Sequence, residues 1–215
     1  MNLSGCCASG ADACFSKSAG YYARRYRRRG LDRAQRKLRE GLLAGGVSGR
    51  SVLDVGCGVG GLLIDLVADG ASSGTGIDVS QGMIEKATSL ARDRAVSARV
   101  EFRVGDYAAM DGSAIRAEIV VMDKVLCCYP DPGALVRRVA ASGAETLAVS
   151  YPRDGFLARV SFTAMNLLGK LLRWSFYPFY HDPRALDAAL AGAGFRESRR
   201  STTPFWQIVI LKRAG

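Results

Sequence analysis

Apolar and polar positions follow two different periods along most of the chain. Short apolar runs predict five strands, at residues 51–55, 75–79, 100–104, 117–123 and 146–151. Segments with helical periodicity lie between them, at residues 60–68, 80–94 and 132–141. Strands that alternate with helices predict an α/β fold, in which a Rossmann-like, doubly wound and mostly parallel sheet carries helices on both faces.

The carboxyl-terminal part departs from this alternation. Residues 156–174 predict an additional helix, and residues 183–191 predict another. Two final strands, at 197–203 and 205–212, are joined through Thr203-Pro204 and predict an antiparallel pair at the sheet edge. The sheet is therefore expected to have seven strands.

The amino-terminal part predicts no strand. Residues 1 to about 20 show little pattern, whereas residues 23–44 predict one helix that Gly45-Gly46 ends. Between Arg24 and Glu40 there are nine basic residues and two acids, so this helix carries most of the net charge of +10. Such a run is typical of a solvated helix face. It could instead attract an acidic small molecule or a membrane surface, and nucleic acid is the least favoured partner.

Composition limits the class of protein. The 215 residues, 48% hydrophobic and 23% charged, suffice for one domain with a single core. The apolar runs are shorter than the roughly 18 residues that a membrane span needs. The start of the chain, Met1 to Cys7, lacks the basic residues and apolar block of a secretory signal, so a cytoplasmic location with reduced thiols is expected.

Six cysteines raise the question of a metal site. Cys6, Cys7 and Cys14 lie near one another in the sequence, but no second cysteine pair and no histidine pair completes a zinc pattern. We therefore expect no metal, and an amino-terminal segment that is simply packed or poorly ordered.

Glycines are concentrated where the first strand meets the following helix, in the segment Val52 to Gly61. Gly56, Gly58 and Gly60 suit a sharp turn and the close approach of a ligand to the backbone. Gly56, Gly58 and Gly61 also fit the G-x-G-x-x-G spacing of dinucleotide-binding loops. Asp54 helps to decide between ligands, because a carboxylate at this place suits a cation, whereas a pyrophosphate would gain nothing from it.

Two more acids follow the next two strands. Asp78 ends the second strand, where it can accept hydrogen bonds from both hydroxyls of a ribose. Asp106 follows the third strand, where it can accept a hydrogen bond from an adenine amino group. S-adenosyl-L-methionine combines a sulfonium, an amino-acid end and an adenosine. A glycine turn together with acids at the carboxyl ends of three successive strands therefore predicts a site for this cofactor.

The ordered segments D-V-G-C-G-V-G, G-I-D-V-S and V-G-D-Y, within residues 51–151, resemble those of class I S-adenosylmethionine-dependent methyltransferases of the small-molecule type. The resemblance implies a seven-stranded sheet with an antiparallel last pair. It also implies a lead and basic helix over the site in residues 1–46, and a methyltransferase domain in 47–215 with a lid insertion at 152–181. The cofactor site is expected to comprise Asp54, Gly56, Cys57, Gly58, Gly60, Asp78, Val79, Met83, Gly105, Asp106, Tyr107, Asp123 and Lys124.

The segment after the fourth strand is expected to face the acceptor. Many small-molecule members carry V-L-H-H-V-P-D-P here, whereas this chain has Cys127-Cys128 in place of the histidines, which puts a histidine contact in doubt. Cys128 and Tyr129 are candidate substrate contacts. Asp123 and Lys124 lie at the sheet edge where ligands of such folds bind, either as catalytic groups or as a satisfied ion pair.

The helix predicted at 156–174 has a polar stripe, which runs through Arg159, Thr163, Asn166, Lys170 and Arg173. The rest of its circumference is largely apolar. This pattern predicts a lid over an apolar substrate, with Arg159 and Trp174 in contact; a helix packed on the core and a peripheral membrane contact are the alternatives. An insertion here, with a basic amino-terminal helix, is similar to the layout of magnesium-protoporphyrin O-methyltransferases, whose acceptor is a carboxylate. Quinone, lipid and other small-molecule O-methyltransferases fit it equally well.

Two side chains are candidates for handling the acceptor's proton. His181, the only histidine, is either a general base or a structural residue that caps the next helix. Tyr151 is placed to orient the acceptor, and an acceptor that is already a carboxylate needs no base. Methyl transfer to the oxygen of a small molecule is therefore the predicted reaction.

Two other classes of protein compete with this prediction. A nicotinamide-dependent oxidoreductase would use the same glycine loop, but that function does not explain the presence of Asp54 and Asp106. A nucleic-acid-binding module would use the basic helix. The segment after the fourth strand lacks the N-P-P-Y type of motif expected where the acceptor is an amino group of a base.

Overall fold

The computed structural model describes residues 3–110, 115–174 and 176–214, and for residues 3–9 and 157 it describes the backbone alone. The strands are β1 (Ser51–Val55), β2 (Ser73–Asp78), β3 (Val100–Val104), β4 (Ile119–Asp123), β5 (Thr146–Pro152), β6 (Phe195–Thr202) and β7 (Trp206–Arg213). The helices are α1 (Leu3–Arg29), α2 (Arg33–Ala44), α3 (Gly61–Ala68), α4 (Gln81–Asp93), α5 (Pro132–Ala141), α6 (Phe156–Leu171) and α7 (Pro183–Gly192), with a short 3-10 turn at Leu126–Cys128.

The seven strands form one sheet in the order β3-β2-β1-β4-β5-β7-β6. Strands β1 to β5 pair in parallel, and β7 pairs antiparallel with both β5 and β6. This confirms the predicted doubly wound sheet and its antiparallel last pair. The strand order reverses between β1 and β4, and the carboxyl ends of strands at such a switch point form the usual ligand crevice of this fold class.

Alternate residues of the central strands pack on opposite faces of the sheet. Val52 and Val121 face the layer that contains α2 and α3, whereas Leu53 and Val120 face the layer that contains α5 and α7. All four side chains are almost fully buried. A strand that is covered on both faces must be apolar at every position, which explains why these strands are continuous apolar runs rather than alternating ones.

The amino-terminal part differs from the prediction. The segment expected to show little structure is helical from Leu3, and the single helix expected at 23–44 is two helices. The break occurs at Gly30, whose φ of 63° is left-handed and ends α1. Asp32 then starts α2 as its N-cap, in a capping box with Gln35. The break turns the chain so that both helices lie near the switch point.

Other predicted boundaries agree to within three residues. Ser80 caps α4 as expected, accepting from the Met83 N–H, and the helix predicted at 156–174 ends at Leu171. No helix among the described residues is long and apolar enough to cross a membrane. Cys14, Cys57, Cys127 and Cys128 are free thiols, and the described part of the chain contains no cluster of three potential metal ligands. The side chains of Cys6 and Cys7 lie outside the described residues.

Candidate functional site

The turn from β1 into α3 has a backbone path that favours glycine. Gly56, Gly58 and Gly60 have φ values of 67°, 54° and 72°. A Cβ at Gly56 would lie 2.4 Å from a methyl group of Val125, whereas a Cβ at Gly58 would meet nothing within 4 Å. The first glycine therefore permits close packing behind the loop, and the second keeps the space in front of the loop open.

Asp78 holds this turn in place from the end of β2. One carboxylate oxygen accepts from the Gly58 N–H at 2.8 Å, and the other accepts from the Ser80 N–H at 2.9 Å. Burial raises the pKa of Asp78, and these two hydrogen bonds oppose the shift. The carboxylate therefore positions the loop and still lines the cavity in front of it.

Asp54 lies behind the turn, at the end of β1, and is almost fully buried. Its Oδ1 atom has no hydrogen-bond partner among the described residues. Burial, together with the nearby charges of Asp123 and Asp78, raises its pKa well above the ordinary range. A buried carboxyl group with two further carboxylates nearby creates an environment that a cationic ligand would stabilise.

Asp106 lies on the far side of the cavity, after β3. Its Oδ1 atom accepts hydrogen bonds from the Tyr129 hydroxyl at 2.6 Å and from the Ala108 N–H at 3.0 Å. Burial and this contact with Asp106 raise the pKa of Tyr129, so its hydroxyl remains a donor at neutral pH. The pair connects the end of β3 to the segment after β4.

Lys124 connects the sheet to the amino-terminal helices. Its ammonium lies 2.6 Å from Asp32 and 3.1 Å from Asp123. Burial alone would lower the pKa of Lys124, but the two carboxylates raise it above the ordinary value. Lys124 has a left-handed φ of 60°, and its N–H donates to the Ser150 hydroxyl oxygen at 2.9 Å. Ser150 in turn donates to Asp123, so these groups form one network at the carboxyl ends of β4 and β5.

These elements surround a cavity of about 720 Å³, which is within the range of small-molecule sites, about 300–1,000 Å³. Most of the predicted cofactor residues line it: Gly56, Cys57, Gly58, Asp78, Val79, Met83, Gly105, Asp106, Tyr107, Asp123 and Lys124. The predicted substrate contacts Cys128 and Tyr129 line it as well. Asp54 and Gly60 are the two predicted cofactor residues that do not line it.

Four predicted site residues lie away from this wall. Tyr151 is buried in β5, and its hydroxyl donates to Asp187. The His181 ring nitrogen Nε2 lies 2.8 Å from the Tyr129 carbonyl oxygen. Arg159 pairs with Asp154 at 3.2 Å, and Trp174 follows α6. Roles for these four in catalysis or substrate binding remain predictions, and none of the described cavity-lining residues comes from 152–181.

The sequence prediction missed individual wall residues of α1 and α2. The cavity is also lined by Ala11, Phe15, Tyr22, Arg25, Tyr26, Gly30, Asp32 and Gln35. Tyr26 packs on the turn itself, because a Cβ at Gly61 would lie 2.8 Å from its ring. A signal was present: Ala11, Phe15, Tyr22 and Tyr26 follow one another at helical spacings of four, seven and four.

The basic run is partly neutralised by acids of the same chain. Arg27 pairs with Asp93 at 2.7 Å, and Arg39 pairs with Asp69 at 2.5 Å. These contacts attach the helices to α4 and to the end of α3. The structure therefore gives part of the basic run a packing role, which reduces the charge left to attract a nucleic acid.

Comparison with known proteins agrees with this architecture. Residues 52–143 match a family model described as a methyltransferase domain. The predicted resemblance to class I S-adenosylmethionine-dependent methyltransferases is therefore confirmed over these residues.

The curated relatives of this chain include methyltransferases. A ubiquinone biosynthesis O-methyltransferase of Coxiella burnetii is 32% identical over 95 residues, which cover 44% of this chain and 39% of that protein. Its counterpart in Bordetella avium is 37% identical over 102 residues, covering 46% and 40%. The chain thus spans about two fifths of the length of these curated relatives.

Solved structures share the fold over more of the chain. The magnesium protoporphyrin IX methyltransferase of Synechocystis PCC 6803, solved with bound SAH, has a TM-score of 0.76 at 22% identity and covers 97% of this chain and 100% of its own. A (4+2)-cyclase also has the fold, with a TM-score of 0.64 at 18% identity over 84% of this chain and 80% of its own. Because a cyclase shares it, the fold by itself does not establish the reaction.

Proposed function

We propose that this protein is an S-adenosylmethionine-dependent methyltransferase that acts on a small molecule, with oxygen as the acceptor atom. The observation that carries the proposal is the set of acids around one glycine turn. Asp78 and Asp106 line the cavity at the ends of β2 and β3, and Asp54 lies buried behind the turn with an unpartnered oxygen. The family match over residues 52–143 supports the same conclusion.

The residues present fit this cofactor. The open space at Gly58 allows a ligand to approach the backbone, and the buried acids favour a cation. S-adenosylmethionine, when bound, supplies a methyl group on a positively charged sulfur. Asp78 is placed to accept hydrogen bonds from ribose hydroxyls, and the remaining acceptor sites of Asp106 are available to an adenine amino group.

The wall opposite the turn favours an acceptor that is already an oxyanion or that ionises readily. The neighbouring Cys127 thiol and burial raise the pKa of the Cys128 thiol, so it is neutral at physiological pH. Tyr129 likewise keeps its proton. Arg25 lines the cavity from α1, and none of the described acids lies within ion-pair distance of it. A carboxylate on the acceptor would both pair with Arg25 and require no general base.

Within this proposal the chain aligns the reactants rather than performing acid–base chemistry. The Asp78 carboxylate and the glycine turn fix the donor side, while Cys128, Tyr129 and α1 enclose the acceptor side and exclude water. The free thiols of the described cysteines support the predicted cytoplasmic location, where thiols stay reduced. An apolar acceptor would also suit the predicted peripheral contact with a membrane.

Calorimetric titration with S-adenosylhomocysteine tests the cofactor assignment. Replacing Asp78 with Asn removes a charge and the ability to accept from two hydroxyls at once, so affinity should fall roughly 100-fold or more. Asp93→Asn is the matched control, because Asp93 is half-exposed in α4 and its variant should bind as the unmodified protein does. Tight binding of NADH in place of S-adenosylhomocysteine would instead favour the oxidoreductase.

A labelled-methyl assay with the unmodified protein tests the reaction. The acceptors to compare are porphyrins, quinones, fatty acids and phenols, in forms with and without a free carboxylate. Product formation with a carboxylate or phenol is expected. Binding of S-adenosylhomocysteine with methyl transfer only to nucleic acid or protein would contradict the proposed substrate class.

A further inference from the structure

Helix α6 has an apolar face that points away from the molecule. Phe156, Leu167 and Leu171 are 79%, 70% and 79% exposed, and Val160 lies between them. At 3.6 residues per turn these four side chains lie within about 60° of one another around the helix axis. We call them the outer face of α6. Single exposed apolar residues are ordinary, but four of them on one side of a helix of four turns are not.

The opposite side of α6 is packed, which fixes the direction of the outer face. Ala158 and Phe162 are buried, and the Phe162 ring stacks on Phe205 with centroids 6.1 Å apart. Asn166 donates to the Pro178 carbonyl oxygen at 3.0 Å. The helix is therefore anchored by one side, and its outer face is not available to the core. No residue of α6 is a member of the two main core clusters among the described residues.

The segment that carries the outer face is basic, and the nearest acid, Asp154, precedes it. Residues 156–181 contain three basic residues and no acid. Arg159 pairs with Asp154, whereas Lys170 and Arg173 are exposed and lie near the carboxyl end of α6. Trp174 follows them and is 42% exposed. An apolar row with basic residues beside it matches the side chains that enter the headgroup region of an anionic bilayer.

The segment after α6 connects this face to the cavity. The Phe176 ring packs on the Phe15 ring with centroids 5.3 Å apart, and Phe15 lines the cavity from α1. The segment that follows α6 therefore packs on a residue of the cavity wall.

We propose that the outer face of α6 docks on an anionic lipid surface, with the helix lying in the plane of the interface. A second copy of this chain is the rival occupant, but residues 156–181, which carry the face, contain three basic residues and no acid, so they do not complement a copy of themselves in charge. Lipid headgroups with negative charge provide the complementary partner.

Vesicle co-sedimentation of the full chain, without cofactor or acceptor, tests this proposal independently of the methyltransferase activity. The vesicles are phosphatidylcholine alone and phosphatidylcholine mixed with phosphatidylglycerol. The protein should bind the mixed vesicles more tightly. The double variant Leu167→Asp/Leu171→Asp should lower that partitioning roughly tenfold or more, because aspartate does not enter the apolar part of the interface.

Two further variants separate the apolar and the electrostatic contributions. Lys170→Gln should lower partitioning to the mixed vesicles about fivefold and leave binding to phosphatidylcholine unchanged. Leu43→Asp is the matched control for the aspartates, because Leu43 is 39% exposed in α2, and its variant should bind as the unmodified protein does. Phe156→Gln gives a second test of the apolar face if the double variant loses its helical circular dichroism.

Three results would overturn the proposal. The first is no preference for the mixed vesicles over phosphatidylcholine. The second is equal binding by the unmodified protein and both outer-face variants. The third is a dimer in sedimentation velocity that Leu167→Asp/Leu171→Asp disperses, with no vesicle binding, which would assign the face to a second copy of the chain.

Discussion

The two walls of the cavity are built in different ways. At the carboxyl ends of β1 and β2 the wall is largely backbone, since left-handed glycines shape it and the Asp78 carboxylate holds the Gly58 N–H. The facing wall consists of side chains on two helices, among them Phe15 and Arg25. The first wall depends on a backbone path that few residues allow. The second depends on contacts that hold the helices against the domain.

The contacts that hold the helical wall are polar and distributed along it. The Ser16 and Ser80 hydroxyls lie 2.8 Å apart, and the Tyr26 hydroxyl donates to Asp65 at 2.7 Å. Lys124 adds its ion pair with Asp32 at the break between the helices. Several independent contacts hold the two helices against the domain. A single substitution in the helical wall should therefore lower the free energy of unfolding less than a single substitution in the glycine turn.

Replacing Gly56 with Ala should have the largest effect. The new methyl group would combine a left-handed φ with a 2.4 Å approach to Val125, so the free energy of unfolding should fall by about 3 kcal/mol. Urea unfolding gives this value. Gly46→Ala is the control, because Gly46 also has a positive φ but nothing within 4 Å of its Cβ position, and it should cost about 1 kcal/mol. Equal losses would show that close packing behind the turn contributes little.

Replacing Lys124 with Met tests the contact between the walls. It keeps a non-glycine residue at the left-handed position but leaves Asp32 and Asp123 without their partner, so unfolding should become easier by about 2 kcal/mol. Lys86→Met, in the exposed part of α4, should change stability little.

The pH dependence of the same variant provides a second readout. Although burial alone would raise it, the pKa of Asp32 is lowered by Lys124, so its contribution to stability is present above its unfolded pKa and is lost as the pH falls through the folded value. In the Lys124→Met variant this loss on acidification should be smaller. An unchanged acid profile would mean that the pair does not stabilise the fold.

Replacing Arg25 with Gln tests whether the helical wall recognises charge. With an acceptor that carries a carboxylate, KM should rise about tenfold while kcat changes little, because an ion pair made before and during the reaction is uniform binding. Arg24→Gln is the control, since Arg24 is exposed beside it and does not line the cavity. Equal KM values for esterified and free acceptors in the unmodified protein would argue against a role for Arg25.

The difference between the walls also explains what could be predicted from the sequence. The positions of the glycine turn and of Asp78 can be predicted from the sequence. Glycine is favoured where φ is left-handed, and an acid at the end of an apolar strand stands out from its neighbours. The helical wall has a weaker sequence signal, because Ala11 and Ala19 are small and dilute its helical periodicity, and long-range partners such as Ser80 for Ser16 leave no local pattern.

Helix α6 shows the same limit for a different reason. Its position and amphipathic pattern were predicted, but periodicity gives only the relative directions of side chains. It does not say which of two apolar sides meets the protein. The packing of Phe162 on Phe205, across 43 positions of sequence, decides that question, and only the folded chain brings those rings together.

Replacing Asp54 with Asn should have the smallest effect on stability. Unlike the other substitutions, it should stabilise the protein. Asp54 has a raised pKa in the folded protein, so its charge opposes folding at neutral pH, and that cost shrinks as the pH falls through the folded pKa toward the unfolded value. The variant should therefore be more stable by roughly 1 kcal/mol near pH 7, and the gain should disappear in acid. Its affinity for S-adenosylmethionine, measured by calorimetry, should fall at the same time, because the buried carboxylate favours a ligand with a positively charged sulfur. Asp93→Asn should change neither quantity. If Asp54→Asn destabilised the protein and left affinity intact, the carboxylate would be a structural brace for the turn, and the two walls would differ in backbone shape alone.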